Sequence, residues 1–267
     1  MHCSRYKMIC LGLLLIFGCG SDVYESRLKE TNAFFEYRQS LDRVLQNGTW
    51  NHPQFPISMR IPKGFNLLPA PAIPKEGEPA PEDARQPLYL GLTLPGLVGA
   101  WQGEFPCDDG NRPGFLYVCS NHQWYLDVAK AGTGPDPAVF LTELETALAN
   151  TMQVTLPPGG GSQIGNNVRY TEMCPRERKY AIPKEFTGIT FVPPAVLPQV
   201  GVEIKGQMYG HYNGPIHIAV IAIYPASIRE RLEDKLLKSL ETLTVSNQIP
   251  KLQAGAAGAG AATKSGF

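Results

Sequence analysis

Residues 201–224 read GVEIKGQMYGHYNGPIHIAVIAIY, and the fold turns on how this stretch is read. Two strand-like runs, 201–212 and 216–224, flank Asn213-Gly214, a dipeptide that favours a two-residue hairpin turn. That turn would set His211 opposite Ile216 and Gly210 opposite His217. In the second run Ile216, Ile218, Val220 and Ala222 share one face, and His217, Ala219, Ile221 and Ile223 share the other. A strand apolar on both faces belongs at the centre of a sheet that is covered on both sides. Downstream, Ser227 and Glu230 have capping-box spacing, and Ile228, Leu232, Leu236, Leu240 and Leu243 form a helical stripe. Upstream, strands are expected at 168–173 and 189–192. Asp136-Pro137 opens a helix striped by Leu141, Leu144, Leu148 and Met152. Earlier still, 89–94, 97–105 and 115–119 read as strands, with Trp124-Tyr125-Leu126 continuing the last. Strand runs separated by single helices predict an α+β fold, a largely antiparallel sheet flanked by helices.

Ile61-Pro62-Lys63-Gly64-Phe65 returns as Ile182-Pro183-Lys184-Glu185-Phe186, and each copy precedes strands, a hairpin and a leucine-striped helix. Two half-repeats and chance both remain open on five residues. The Ile-Pro-x-x-Phe strand entry, the middle helix and the long hairpin lead to a last helix ending Ser239-Leu240-Glu241-Thr242-Leu243. In these features residues 55–247 resemble the Mog1/PsbP-like α/β/α sandwich. That resemblance implies a module that binds partners and transfers no catalytic residue.

The chain holds 267 residues with 24 basic and 24 acidic side chains. A zero net charge excludes nucleic-acid binding by bulk electrostatics, and 43% apolar residues suffice for a core. With 27 glycines and 24 prolines, the two together make about 19% of the chain, against roughly 12% on average. Much of the excess is local: a Pro-rich loop at 69–87, a break at 157–161, and a Gly/Ala-rich tail within 249–267 that is expected to be disordered. The glycine run at 159–161 lacks the lysine and Ser/Thr of a phosphate-binding loop.

At the N-terminus, His2, Arg5 and Lys7 precede an apolar run at 8–17 that is too short to span a membrane. This is the form of a secretory signal, read as residues 1–18. Ile16-Phe17-Gly18-Cys19 resembles the bacterial lipobox, which implies a lipid on Cys19. Gly20 follows, with Asp22 only later, so the inner-membrane retention signal of lipoproteins is missing. The expected site is the periplasmic face of the envelope, with the outer membrane favoured over the inner. Residues 22–46 read as a helix, with Phe34, Tyr37, Leu41 and Val44 in a stripe and Asn47-Gly48 as its stop. The anchor and helix occupy 19–53, and the globular domain 54–248. Tyr24-Glu25-Ser26-Arg27-Leu28 through Tyr37, behind the lipobox, is similar to uncharacterised planctomycete lipoproteins.

Chemistry is sparse. Outside the cytoplasm disulfides persist, and Cys107 and Cys119 flank a turn-rich segment where a bridge would staple two strands, with Cys174 left over. Three unpaired thiols are the rival reading, and the spacing does not support a metal site. Asp108-Asp109-Gly110-Asn111 is turn chemistry and lacks the alternating acids of a calcium loop. No Gly-x-Ser-x-Gly elbow is present. His211 and His217 lie near one another in the expected hairpin without a third ligand, so neither a metal nor any other cofactor is expected. Trp101, Trp124, Tyr209 and Tyr212 could line a recognition groove, or sit half-buried on a sheet face. These observations predict a non-catalytic binding or assembly module, held to the membrane by lipid, with an envelope protein as partner. The alternative is a secreted enzyme using His122 or His211 beside Asp108 or Glu203.

Overall fold

The computed structural model describes residues 21–71, 82–108, 110–159, 161–176, 179–198 and 200–251. The signal segment, Cys19, the middle of the Pro-rich loop and most of the tail lie outside the described residues. The chain divides into two units at Leu45/Gln46. The first contains α1 (Ser21–Val44), within two residues of the expected bounds. A run free of glycine and proline sustains it, with Thr31 Oγ1 donating to the Arg27 carbonyl at 2.8 Å. Asn47-Gly48 does not stop a helix: the chain is already strand β1 (Leu45–Asn51) there.

The second unit is α+β, as expected. Its main sheet runs β3-β4-β5-β10-β9-β8-β7-β6, and every neighbouring pair is antiparallel. These strands are β3 (Phe65–Leu67), β4 (Leu97–Cys107), β5 (Gly110–Ser120), β6 (Ser162–Ile164), β7 (Asn167–Cys174), β8 (Lys184–Phe191), β9 (Ile204–Asn213) and β10 (Ile216–Pro225). A smaller sheet joins β1, β2 (Ile57–Pro62) and β11 (Thr244–Val245). The helices are α2 (His122–Ala131), α3 (Phe140–Met152) and α4 (Leu232–Thr242).

All ten residues of β10 are buried, which its two apolar faces required. Ile218, Val220 and Ala222 face the layer of α4 and β2, where Leu232, Leu236, Leu240 and Leu243 meet Ile57, Met59 and Ile61. Ala219, Ile221 and Ile223 face α3, whose Phe140, Leu141, Leu144, Leu148 and Met152 are all buried. Each such side chain contributes about 1.5–3 kcal/mol on burial.

The repeated pentapeptide marks two similar strand sets. Phe65 opens β3 and Phe186 lies in β8, both buried on the α4 face. The meanders β3-β4-β5 and β8-β9-β10 meet at the antiparallel β5–β10 pair. The helices do not follow the repeat, because α3 and α4 cover opposite faces.

Several local expectations change. Asn213 pairs with Ile216, so the hairpin loop is Gly214-Pro215, and His211 stands opposite Ile218. Gly214 takes a φ of 62°, Pro215 needs no donor, and the Asn213 side chain is held by the Val245 carbonyl at 2.7 Å. Residues 89–94 are not a strand. A 3-10 turn, Leu88–Leu90, precedes Gly91 in the left-handed region, and Leu90, Leu92 and Leu94 pack on the α3 face. Gln86 supplies the hydrogen bonds a strand partner would have given, joining Leu94 N at 2.7 Å and Leu94 O at 3.2 Å. Trp124 belongs to α2 and does not continue β5. The Asn121 carboxamide ends that strand by accepting from His217 N and donating to the Pro137 and Pro215 carbonyls, each at 3.0 Å. The capping box at Ser227 is not used either: α4 starts at Leu232, and Glu230 pairs with Lys235. Asp136 does cap, accepting from Ala138 N at 2.9 Å ahead of α3.

Candidate functional site

The four aromatic candidates do not form a groove. Trp101, Tyr209 and Trp124 are buried, at 2%, 1% and 8% exposure, and only Tyr212 is open, at 56%. Trp101 meets Trp50 edge-on at 5.0 Å, and Trp124 meets Phe140 in the same way at 5.1 Å on the opposite face of the sheet. Rings this large are core payload wherever a strand or helix turns them inward.

The expected Cys107–Cys119 bridge is not made. The β4–β5 turn is tight, so Cys107 pairs with Gly110 while Cys119 stands opposite Leu97 at the far end of the hairpin. Nine residues of β5 separate Gly110 from Cys119, which puts the two cysteines roughly 30 Å apart at about 3.3 Å per residue, far beyond the span of a disulfide. Cys107, Cys119 and Cys174 are all free and buried. Burial raises the thiol pKa of Cys119, and pushes that of Cys174 up to about 12. Neither supplies a thiolate.

The histidines are dispersed too. His211 and His217 lie on opposite faces of the sheet, because His217 pairs with Tyr212, the neighbour of His211. His211 Nδ1 donates to the Glu185 carbonyl at 2.8 Å, and its ring packs on Phe186. His122, fully buried, sits past one end of β5 while Asp108 lies in the turn at the other end. His211 and Glu203 are separated by most of β9. Neither pairing of the acid–base alternative is brought together.

His122 has other neighbours. Phe55 is stacked between the imidazoles of His52 and His122, at 4.8 and 4.9 Å. The Ser120 hydroxyl donates to the His217 carbonyl at 3.0 Å, which leaves its oxygen to accept from His122 Nδ1 at 2.7 Å. His122 Nε2 is then buried without a partner. Burial and, second, the nearby His52 lower the pKa of His122 to about 4. His52 is lowered by burial and by Arg85, and its Nδ1 accepts from Phe55 N at 3.0 Å. The cluster is neutral near pH 7.

A second polar group lies on the α4 face. Gln207, fully buried on β9, has neither amide atom hydrogen-bonded. Thr190 is its partner in β8, and Tyr209 shares its face of β9. The Tyr170 ring lies over Gly188 and its hydroxyl donates to Tyr209 at 3.2 Å. Burial raises the pKa of Tyr170, Tyr209 and Tyr224, with the charge of Glu233 on α4 adding to it. These phenols stay protonated. Lys205 and Glu233 pair at 3.8 Å beside a 250 Å³ depression at the edge of this layer.

The most ligand-like feature is a cavity of about 290 Å³ at the end of the sheet where β5, β10 and β9 come together. The β5–β10 register sets Phe115 beside Ile223, and Tyr89 stacks on Phe115 at 4.7 Å. A turn held by Val200 N donating to the Leu197 carbonyl at 2.9 Å, with Gly201 at a φ of 74°, carries Val200 and Val202 to the opposite wall. Arg112 is the one charged residue among the described residues that line the cavity. The sequence reading placed Phe115, Tyr89 and Val202 on strands, but only Phe115 is on one; Tyr89 and the two valines come from irregular segments, and no periodic signal joins them.

Among the described residues no group of three or more His, Cys, Asp or Glu side chains could hold a metal ion. No helix among them is long and apolar enough to cross a membrane. No protein-family model matches the chain, and no curated protein is similar to it.

Proposed function

We propose that this chain is a lipid-anchored protein of the cell envelope that acts as a non-catalytic binding module. The observation that carries the binding role is the cavity, walled among the described residues by aromatic and branched apolar side chains with a single charged residue. Largely apolar pockets with few polar groups are the usual form of ligand sites, and this one is at the small end of their range. The basic n-region, the short apolar run and Cys19 support the address. Helices on both faces of an antiparallel sheet support the resemblance to Mog1/PsbP-like binding proteins over residues 55–247.

The test of the address expresses the full chain in a bacterial host and follows the mature protein by detergent phase partition and mass spectrometry. The wild type should enter the detergent phase with acyl mass on Cys19, and Cys19→Ser should stay aqueous. Equal partition of the two sinks the anchor. For binding, a panel of small apolar compounds should raise the Tm of the Cys19→Ser chain, and Val202→Trp should remove that effect. No shift with any compound sinks the pocket.

A further inference from the structure

We infer that the first turns of α1 lie along the bilayer surface beside the anchor, with Tyr24, Leu28 and Phe35 as the face that enters the lipid. This rests on the reading of Cys19 as the lipidated residue and specifies the surface that the next helix meets.

Exposure comes first. Thirteen large apolar side chains are exposed among the described residues, and five of them fall within 23–35: Val23, Tyr24, Leu28, Phe34 and Phe35. Single exposed apolar residues are ordinary on a surface, whereas a cluster marks a face that meets something other than water. Spacing comes next. Tyr24, Leu28, Thr31 and Phe35 follow one another at four, three and four residues, which aligns them in one stripe. Its two ends, Tyr24 and Phe35, are the most exposed of the five, at 68% and 63%. Thr31 does not interrupt it, because its hydroxyl donates to the Arg27 carbonyl. The stripe runs about 17 Å along the helix at about 1.5 Å per residue. Arg38 and Asp42 hold the next two places in the pattern, so the apolar face stops there.

Charge and position name the occupant. Asp22 and Glu30 lie on the far side of the helix from the stripe, while Arg27 borders it on one flank and Glu25 on the other. A small roll sets the arginine among headgroup phosphates and keeps the acid in water. α1 starts at Ser21, two residues after Cys19, so Tyr24 stands within about 18 Å of the acyl chains even on an extended path. The anchor therefore holds the stripe at the membrane at high local concentration, and a short face with little affinity of its own suffices. Aromatic rings and leucine are what helices lying in the interface bury, with the phenol of a tyrosine staying at headgroup level. A second copy fits less well, because a stripe closed by Arg38 and Asp42 is a short seam for a coiled coil.

The experiment expresses the full chain in a bacterial host, confirms the acyl mass on Cys19, and reconstitutes the protein in vesicles of phosphatidylethanolamine and phosphatidylglycerol. Nitroxide labels are placed one at a time through Leu28→Cys and Phe35→Cys on the stripe, and Ser26→Cys and Glu30→Cys on the far side. Cys107, Cys119 and Cys174 are buried and do not compete for the label. Labels at 28 and 35 should collide with oxygen in preference to a water-soluble nickel complex, and labels at 26 and 30 should show the reverse. Tyr24→Ser combined with Phe35→Ser should shift the label at 28 to the water-like value while the acyl mass and the circular dichroism stay unchanged. Water-like collision at all four positions of an acylated protein overturns the docking and leaves the anchor standing. Broadening between labels at 28 that vanishes on dilution with unlabelled protein assigns the stripe to a second copy and also overturns it. Absence of acyl mass on Cys19 overturns the anchor and this inference together.

Discussion

Helices α3 and α4 lay leucine stripes on opposite sides of one sheet, yet what lies beneath them differs. Under α3 the sheet presents Ala100, Ile189, Phe191, Met208, Ala219, Ile221 and Ile223. Beneath the other layer the same strands present Gln207, Thr190, Tyr170, Tyr209 and Tyr224, and, at the far end of β5, Ser120 beside His122. The α3 side is mostly apolar burial, which is non-directional, with Tyr89, Tyr117 and His217 among the titratable groups on it. The α4 side adds groups with a required geometry and a preferred protonation state. Both faces carry apolar core, and the α4 face carries the larger share of the hydrogen-bonded polar groups.

The largest expected effect probes the apolar side. Phe140 is fully buried against Trp124, so Phe140→Ala should cost about 3–5 kcal/mol in urea unfolding. Acidification probes the other side. The unfolded chain takes up a proton on His122 near pH 6.5, whereas the folded protein resists until about pH 4. Stability should thus be complete above pH 6.5 and fall as pH drops towards 4, by about 3 kcal/mol at about 1.4 kcal/mol per unit. His122→Gln should flatten most of that slope, and an unchanged slope would place the titration elsewhere. A matched pair of glycines comes next. A Cβ on Gly188 would lie 2.4 Å from Tyr170 Cε2, forcing the ring off the Tyr209 hydroxyl, so Gly188→Ala should lose about 1–3 kcal/mol. Gly206 points to the α3 side and a Cβ there meets nothing closer than 3.4 Å, so Gly206→Ala should be neutral or gain up to about 1 kcal/mol. The last effect is a gain of similar size. Gln207→Met keeps length and removes an unsatisfied amide, and should raise stability by about 1 kcal/mol. A clear loss would show that the amide is hydrogen-bonded in solution.

The apolar side was the legible one. Leu141, Leu144, Leu148 and Met152 announce α3, and the apolar character of both faces of 216–224 announces the central strand. The polar layer was not legible, since residues 205–211 of β9 mix glycine, glutamine and histidine with no apolar alternation. Turn residues misled by one position at 213–214, because glycine and proline together satisfied the loop better than asparagine and glycine. The aromatic candidates failed for a related reason: residue type marks a ring as useful, and only the fold decides whether it faces outward. The cavity escaped because three of its walls, Tyr89, Val200 and Val202, are brought in by irregular chain.

The main sheet ends in two strands of three residues each, β3 and β6. Leu67 is soon followed by Pro69 and Pro71, and β6 is bounded by Gly161 and Gly165, both at positive φ. Each offers only three residues of its own to another chain, and β4 and β7 run on beyond the residues these strands cover. Molecules tethered to one surface, as proposed for this chain, collide at high local concentration in a shared orientation. Short outermost strands limit the template that such a crowd can share at its sheet edges.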